Sequence, residues 1–547
     1  MAALVGGLGG AAGFGESSLP RGDDASTGFI SLASAFPQGL TFLGRTFTGL
    51  YVNTNGSITL AAPSGAFTPT AITGATGNPI IAPFWADVDT RGGATAATPG
   101  GNSLGTNLVY YDQDAGTGTF TVTWDDVGYF NQRVNKLDAF QLRLTRVGTT
   151  DFNVEFRYED INWTTGDASG GSNGLGGTGA RAGFSLGDGA HFYELGQSGS
   201  QTALLDLENA SNARQAGLYR FEARALTGAE GTSGLADGLI SGQTGTVNTL
   251  HFFAGRHSAT IETGLGEPLR VTTATTGMDN LYSIEILDFV DGRMVYDAHD
   301  PAAQVVRMYQ AGLGRTPDQT GLNGWISFLQ HGLTLETIAD GFLNSQEFAA
   351  RFTNASNIPG FVTQLYANVL GRAPDSEGYL GWVNALNSGS LTKAQVLVGF
   401  SESAENVQRT GDLVLAGIWD RDENATLVAR LYDTVLGRQP DLNGLAGWVD
   451  MLEHGTALGN VVAGFVNSSE FQGVYGALDD RGFIQALYRN TLEREGSPVE
   501  VNAWLDVLGH GSSRPDIVLG FSESQEHTQN TAALIQPETG AFGIIFA

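Results

Sequence analysis

The stretch LGRTPDQTGLNGW at 313–325 returns three more times, as LGRAPDSEGYLGW, LGRQPDLNGLAGW and LEREGSPVEVNAW. With the arginine as origin (Arg315, Arg372, Arg438, Arg494), the copies align without gaps through two helices. A chain that writes one unit four times is building a modular array. Each copy must be a supersecondary unit that buries its apolar face against its neighbours.

The offsets predict what each residue does. Tyr309, Tyr366, Tyr432 and Tyr488 stand six before the arginine, and Leu313, Leu370, Leu436 and Leu492 two before it. Being four apart, they share the buried face of a first helix. Pro317, Pro374 and Pro440 end that helix, and Asp318, Asp375, Asp441 or Ser497 supplies the oxygen that caps a second. Trp325, Trp382, Trp448 and Trp504 pair with leucines four residues on, and Gly332, Gly389, Gly455 and Gly511 stop the helix. The small residue before each tryptophan (Gly324, Gly381, Gly447, Ala503) is expected to admit a closely approaching helix. A third helix brings in Phe342, Phe400, Phe465 or Phe521 and, five residues later, Glu347, Glu405, Glu470 or Glu526. A charge pair repeated on apolar units predicts that Arg315 meets Glu347, Arg372 meets Glu405, Arg438 meets Glu470 and Arg494 meets Glu526. Those contacts would join the two ends of each unit.

This pattern, LYxxxLGRxPDxxGxxGW closed by a GFxxSxEF-type end, resembles the bacterial domain of unknown function found in tandem in exported proteins and likened to phycobilisome linker domains. The resemblance covers 301–530 in four copies, about 301–355, 356–412, 421–476 and 480–530. It implies a helical, extracellular scaffold without catalysis. The fourth copy departs from it at Glu493, Gly496 and Glu500.

At 547 residues the chain needs more than one core, since single cores stop growing at roughly 250–300 residues. Against 57 acidic residues there are 28 Lys and Arg, a net charge of −29, which excludes nucleic acid and anionic lipid as electrostatic partners. Its apolar runs fall short of the ~20 residues that span a bilayer, so no membrane insertion is expected. With no cysteine, disulfides and thiolate metal sites are excluded. The 77 glycines and 16% charged residues suit an exported β-rich or adhesive protein.

From about 27 to 222, runs such as LYVNTNGSITL, GTFTVTWDDV, FQLRLTRVG and FNVEFRYEDI alternate with period two between turn clusters. That pattern predicts antiparallel sheets packed as a sandwich. Residues 166–180, GDASGGSNGLGGTGA, read as a flexible loop, because no Gly-Lys-Ser/Thr opening a helix follows them. VNTNGSITL and APFWADVDT make this region, about 14–222, similar to the nidogen-type extracellular (NIDO) domain. The resemblance implies an extracellular β domain associated with adhesion and matrix. Here oxygen donors crowd: Asp23 with Asp24, Asn53 with Asn55, and Asp87 with Asp89, the last two sharing one side of a strand. An oxygen-only set of this kind suits calcium. The alternative is that the asparagines make a turn and the aspartates cap loops. Asp112 and Asp114, and Asp420, Asp422 and Asn424, open like a calcium loop but lack its glycine and terminal glutamate.

The expected organisation is a multidomain chain with an N-terminal all-β sandwich, a small β connector and C-terminal all-α helical repeats. Its divisions are 1–224, a linker at 225–248, a β segment at 249–300, repeats over 301–530, and a tail at 531–547. FFAGRHS and LYSIEILDFVDG in the β segment resemble a unit of type I secreted, calcium-dependent (RTX) proteins, and the tail TGAFGIIFA resembles their uncleaved C-terminal signals. MAALVGGLGG has no basic residues before its apolar ones, so export without a cleaved N-terminal signal is expected. No HExxH, GxSxG or thiol nucleophile occurs, and neighbouring acids such as Asp125 and Asp126 point to opposite sides of a strand, so no enzyme is expected. The expectation is an extracellular or cell-surface structural protein that self-assembles or mediates adhesion with calcium. Its partners would be further copies of itself, matrix or surface glycan. The alternative is a soluble module that recognises glycan or protein through the NIDO-like loops, with the repeats as spacer.

Overall fold

The computed structural model describes residues 2–546 except 74, 227, 235–236, 264–268, 354–356 and 536–541. The chain divides into two compact units, 1–248 with 260–284, and 249–259 with 285–547.

The first unit is sheet-rich. Its largest sheet has ten strands, among them Leu108–Asp114, Thr119–Tyr129, Arg133–Arg146, Phe152–Asp160 and Leu218–Ala225, hydrogen-bonded in that order. A second sheet of six strands contains Gly49–Asn53, Ser57–Thr59, Ile80–Trp85 and Arg181–Ser185. Alternating apolar residues of both sheets meet in one core: Trp124 stacks on Phe140 at 4.9 Å, and Phe84 lies 5.3 Å from Phe140. Polar tips inside this core are paired. Tyr158 donates to Pro83 O at 2.6 Å, tying one sheet to the other, and Trp124 Nε1 donates to Thr54 O in a turn of the second sheet at 2.9 Å.

The stretch 225–248, expected to be a linker, contains the buried strand Gly238–Ser241, which runs parallel to both Leu218–Ala225 and Gly277–Tyr282. Its Gly and Thr content hid a strand that is held by neighbours distant in sequence. The Gly-rich stretch 166–180 is an organised loop: Thr164 and Thr165 donate to Gly174 O, Thr178 to Ser169 O and Ala180 to Thr164 O.

In the second unit, strands Thr249–Phe252, Ile286–Phe289, Gly292–Val295 and Ile418–Arg421 hydrogen-bond in that order. The segment between repeats two and three thus returns to the small sheet. Among the described residues the repeats share four helices, in the first Pro301–Leu313, Gln319–Gln330, Leu335–Leu343 and Gln346–Arg351; repeat two extends its first helix by a π turn, Tyr366–Leu370, and adds Gly411–Leu415. The fourth helix, absent from the sequence reading, is short and is capped by Ser345, Ser403, Ser468 or Ser524. Asp318, Asp375, Asp441 and Ser497 accept from Gly321, Gly378, Gly444 and Glu500 N–H at the second helix. The tyrosines are buried, whereas the tryptophans are half-buried and lie on the phenylalanines, as Trp448 does on Phe465 at 4.8 Å.

The glycines before the tryptophans do not admit a helix. A Cβ on Gly324, Gly381 or Gly447 would meet nothing within 4 Å. Close approach occurs elsewhere: a Cβ on Gly321, Gly378 or Gly444 would lie 2.1–2.3 Å from the tyrosine hydroxyl, and one on Gly399, Gly464 or Gly520 2.6–2.9 Å from the tryptophan ring.

Odd and even repeats differ in a way that pairs them. Arg307 and Arg430 stand eight residues before the arginine origin in repeats one and three, where repeats two and four have Gln364 and Ala486. Glu402 and Glu523 follow the phenylalanine by two in repeats two and four, where the odd repeats have Asn344 and Asn467. Arg307 Nε donates to Glu402 at 3.1 Å and Arg430 Nε to Glu523 at 2.9 Å. Two cores result, one within repeats one and two and one within three and four.

Asp420 and Asp422 serve this architecture and no calcium loop. Asp420 pairs with Arg293 at 2.5 Å on the neighbouring strand, and Asp422 caps the helix Glu423–Leu436. Asp114 likewise closes a turn by accepting from Gly116 and Thr117. Of the tail, 536–541 and 547 lie outside the described residues. Ile544 is buried, and its N–H donates to Asp291 at 2.7 Å.

Candidate functional site

Three loops of the first unit bring acidic side chains together. One carries Asp23 and Asp24. The second is the turn Thr54-Asn55-Gly56 joining strands Gly49–Asn53 and Ser57–Thr59. Gly56 has φ 72°, and a Cβ there would stand 1.7 Å from Phe84 O, so only glycine lets this turn close on its neighbour. The third follows strand Ile80–Trp85 and carries Asp87 and Asp89.

Asp23, Asp24 and Asp87 each offer a carboxylate oxygen within 4.8 Å of the others. Asn55 Nδ2 donates to Asp24 at 2.8 Å, while its Oδ1 accepts from Val88 N–H, so this residue locks two of the loops together. Asp87 is 1% exposed, and among the described residues its Oδ2 has no hydrogen-bond partner; Asp23 Oδ1 is likewise shielded and unpartnered there. Gly166 lies against Asp87, where a Cβ would come within 2.2 Å of Oδ2. Thr165 Oγ1 and Asp167 Oδ1, its neighbours in that loop, are also buried without a partner.

The electrostatics follow from burial among like charges. Burial, then the proximity of Asp23, Asp24 and Asp89, pushes the Asp87 carboxyl up to about 7. Burial and Asp89 raise Asp23 to about 6 against the opposing Arg91. Arg91 Nη2 donates to Asp23 Oδ2 at 2.8 Å, and the oxygens left unsatisfied among the described residues, Asp23 Oδ1 and Asp87 Oδ2, need a proton or a further cation. The donors are hard oxygens with no nitrogen or sulfur among them, which fits calcium or magnesium.

The remaining candidates of the sequence reading are spent on structure. Asp89 does not share a strand face with Asp87, because both lie beyond the strand end. It accepts from Arg91 N and Nε at 2.9 Å and from Gln132 N at 2.8 Å. Burial raises its carboxyl, but those hydrogen bonds prevail and hold it below the usual range. Asn53 accepts from Ser26 and Ser64 and donates to Ser57 and Thr59.

In the repeats, Arg315 Nε meets Glu347 at 2.7 Å, Arg372 meets Glu405 at 2.6 Å, Arg438 meets Glu470 at 3.1 Å and Arg494 meets Glu526 at 2.6 Å. Each guanidinium also lies over its own repeat's tyrosine, 4.9–5.1 Å from the ring centre. These pairs clamp the first helix of a repeat to its fourth. In the fourth repeat Glu500, standing where the others have glycine, adds a second carboxylate to Arg494 at 2.8 Å.

Residues 48–225 match the nidogen-like domain, and 296–352, 353–410, 420–475 and 462–531 match a domain of unknown function (DUF4214). Alpha-tectorin of Homo sapiens is 32% identical over 221 residues, which is 38% of this chain and 10% of the relative. Alpha-tectorin of Gallus gallus is 30% identical over the same length. Nidogen of Drosophila melanogaster is 30% identical over 226 residues, 37% of this chain and 15% of the relative. The chain therefore spans only a tenth to a seventh of the length of these relatives. Among the described residues, no helix is long and apolar enough to cross a membrane.

Proposed function

We propose that this protein is an extracellular structural protein, exported to the cell surface, which self-assembles into a layer, filament or matrix or mediates adhesion with calcium as a structural cation. The observation that carries the reading is the Asp23, Asp24 and Asp87 cluster with its two orphaned oxygens. Asp23, Asp24 and Asp87 would hold calcium, the cation replacing the protons that the crowded carboxylates otherwise need. The similarity of the first unit to alpha-tectorin and nidogen supports an extracellular structural or adhesive role. A net charge of −29 supports a need for cations, since copies so acidic repel until divalent ions screen them.

Sedimentation and negative-stain imaging of the full chain, with calcium and with chelator, test this reading. Ordered assemblies with calcium and dispersed particles without it are expected, and Asp87→Asn should abolish the response. Particles that stay monomeric at high concentration in both conditions would overturn it.

A further inference from the structure

Residues of the first two repeats line an open pocket of about 440 Å³ whose charge is opposite to that of the chain. Arg315, Arg351 and Arg409 line it with Asn368, Asn406 and Thr410, and none of its lining residues is acidic. Arg315 is neutralised by Glu347 at 2.7 Å. Arg351 and Arg409 make no ion pair within 4 Å among the described residues, Arg409 acting on Glu405 only from farther off, although the chain carries 57 acidic side chains to 28 basic ones. Arg351 Nε is shielded from water and has no hydrogen-bond partner among the described residues.

The two arginines occupy matching places, four residues after Glu347 and Glu405. Each guanidinium rests on the glycine that ends its repeat's first helix. A Cβ on Gly314 would stand 1.6 Å from Arg351 Nη1, and one on Gly371 2.2 Å from Arg409 Nη1. Repeats three and four have Val474 and Asn530 at these positions and form the same four helices. The fold of a repeat therefore does not require the arginine.

A guanidinium offers a planar fork of donors that matches carboxylate, sulfate or phosphate; Arg351 is part-buried with its Nε unmet, which is costly, while Arg409 is exposed and free to turn toward a ligand. The cavity volume lies within the roughly 300–1,000 Å³ of small-molecule sites. We propose that this cavity binds a monosaccharide-sized anion bearing a carboxylate, sulfate or phosphate. Arg351 and Arg409 grip the anionic group from two sides. The amide of Asn368 and the amide oxygen of Asn406, whose nitrogen already donates to Ser401 O, face hydroxyls. The site is independent of the carboxylate cluster and of calcium.

Calorimetric titration of the full chain with glucuronate, glucose 6-sulfate, glucose 6-phosphate and glucose, at constant ionic strength, tests the assignment. Saturable binding of at least one charged sugar, and none of glucose, is expected. Arg351→Val and Arg409→Asn, which install the residues of repeats three and four, should each weaken it at least tenfold while circular dichroism stays unchanged. On the unaltered chain, the bound sugar should slow amide exchange at 310–316, 368–372 and 406–413. Absence of saturable binding by all three charged sugars, equal binding of glucose, full affinity in the double variant, or slowed exchange elsewhere only would overturn the proposal.

Discussion

Arg307, fully buried in the first helix of repeat one, forks onto Glu402, which lies 95 residues later, beyond the third helix of repeat two. Arg307 Nη1 also donates to Ala298 O at 2.7 Å, so this guanidinium is satisfied only while both repeats are docked. The structural period of the helical module is therefore a pair of repeats, although the sequence motif repeats singly.

Glu402→Ala leaves a buried guanidinium without its counter-charge and is expected to cost about 3–5 kcal/mol. Arg315→Ala breaks a half-exposed pair and should cost about 1 kcal/mol or less. Thermal denaturation of the full chain should rank the two variants in that order. Replacing both partners, Arg307→Met with Glu402→Leu, should recover most of the loss, because the apolar pair needs no counter-charge.

Two glycines three residues apart should respond oppositely to alanine. On Gly447 the new methyl meets open solvent, and alanine's higher helix propensity should add up to about 1 kcal/mol. On Gly444 it stands 2.1 Å from the Tyr432 hydroxyl and should cost about 1–3 kcal/mol through overpacking. A higher melting temperature for Gly447→Ala than for the parent, with a lower one for Gly444→Ala, checks this.

The carboxylate cluster imposes a pH dependence with a definite sign. Folded Asp87 titrates at about 7 and Asp23 at about 6, above the ordinary 3.8. Between those limits the folded, metal-free state holds more protons than the unfolded chain, so its stability falls as pH rises. The contribution of these groups is complete below 3.8 and is lost as pH rises through 6 and then 7. Calcium bound as proposed would compete with those protons, so its affinity should rise over the same window. Melting curves with and without calcium across this range measure both effects, and Asp87→Asn should flatten them.

His527 is buried in repeat four, where its Nδ1–H donates to Ser522 O at 2.8 Å and Nε2 pairs with the Asp433 carboxylate at 2.8 Å. In repeat two Asn406 holds the matching place and bonds Ser401 O at 2.8 Å. His527→Asn should keep the first bond and lose the second. The expected cost is about 1.5–3 kcal/mol, that of a hydrogen bond to a charged partner. A denaturation midpoint equal to that of the parent would count against a role for Asp433 in joining repeats three and four.

Local features were legible because their physics is local. Asp318 reaches an N–H three residues away, and Gly332 ends its helix at φ 87°, within one turn of the residues it serves. The offset of Arg315 from Glu347 could be read because four copies repeat it. Gly324 misled for the same reason: recurrence marks a constraint but does not say on which side a neighbour lies. Strand Gly238–Ser241 was missed because its partners, 222–225 and 279–282, are set by sheet order and leave no alternation in a four-residue run. Arg351 and Arg409 carry a faint signal, an arginine present in two copies and absent from two.

The sequence by itself determined the repeat register, the caps and stops of the helices, and the stock of hard oxygen donors in the first unit. Only the tertiary structure decided which donors converge. Asp23, Asp24 and Asp87 meet across more than sixty residues, while Asp89 and Asn53, equally promising on paper, are consumed by Arg91, Gln132, Ser26 and Ser64. The reason is physical: a cap needs one turn of chain, whereas a cation site or a buried ion pair needs segments placed by the packing of whole sheets and helices.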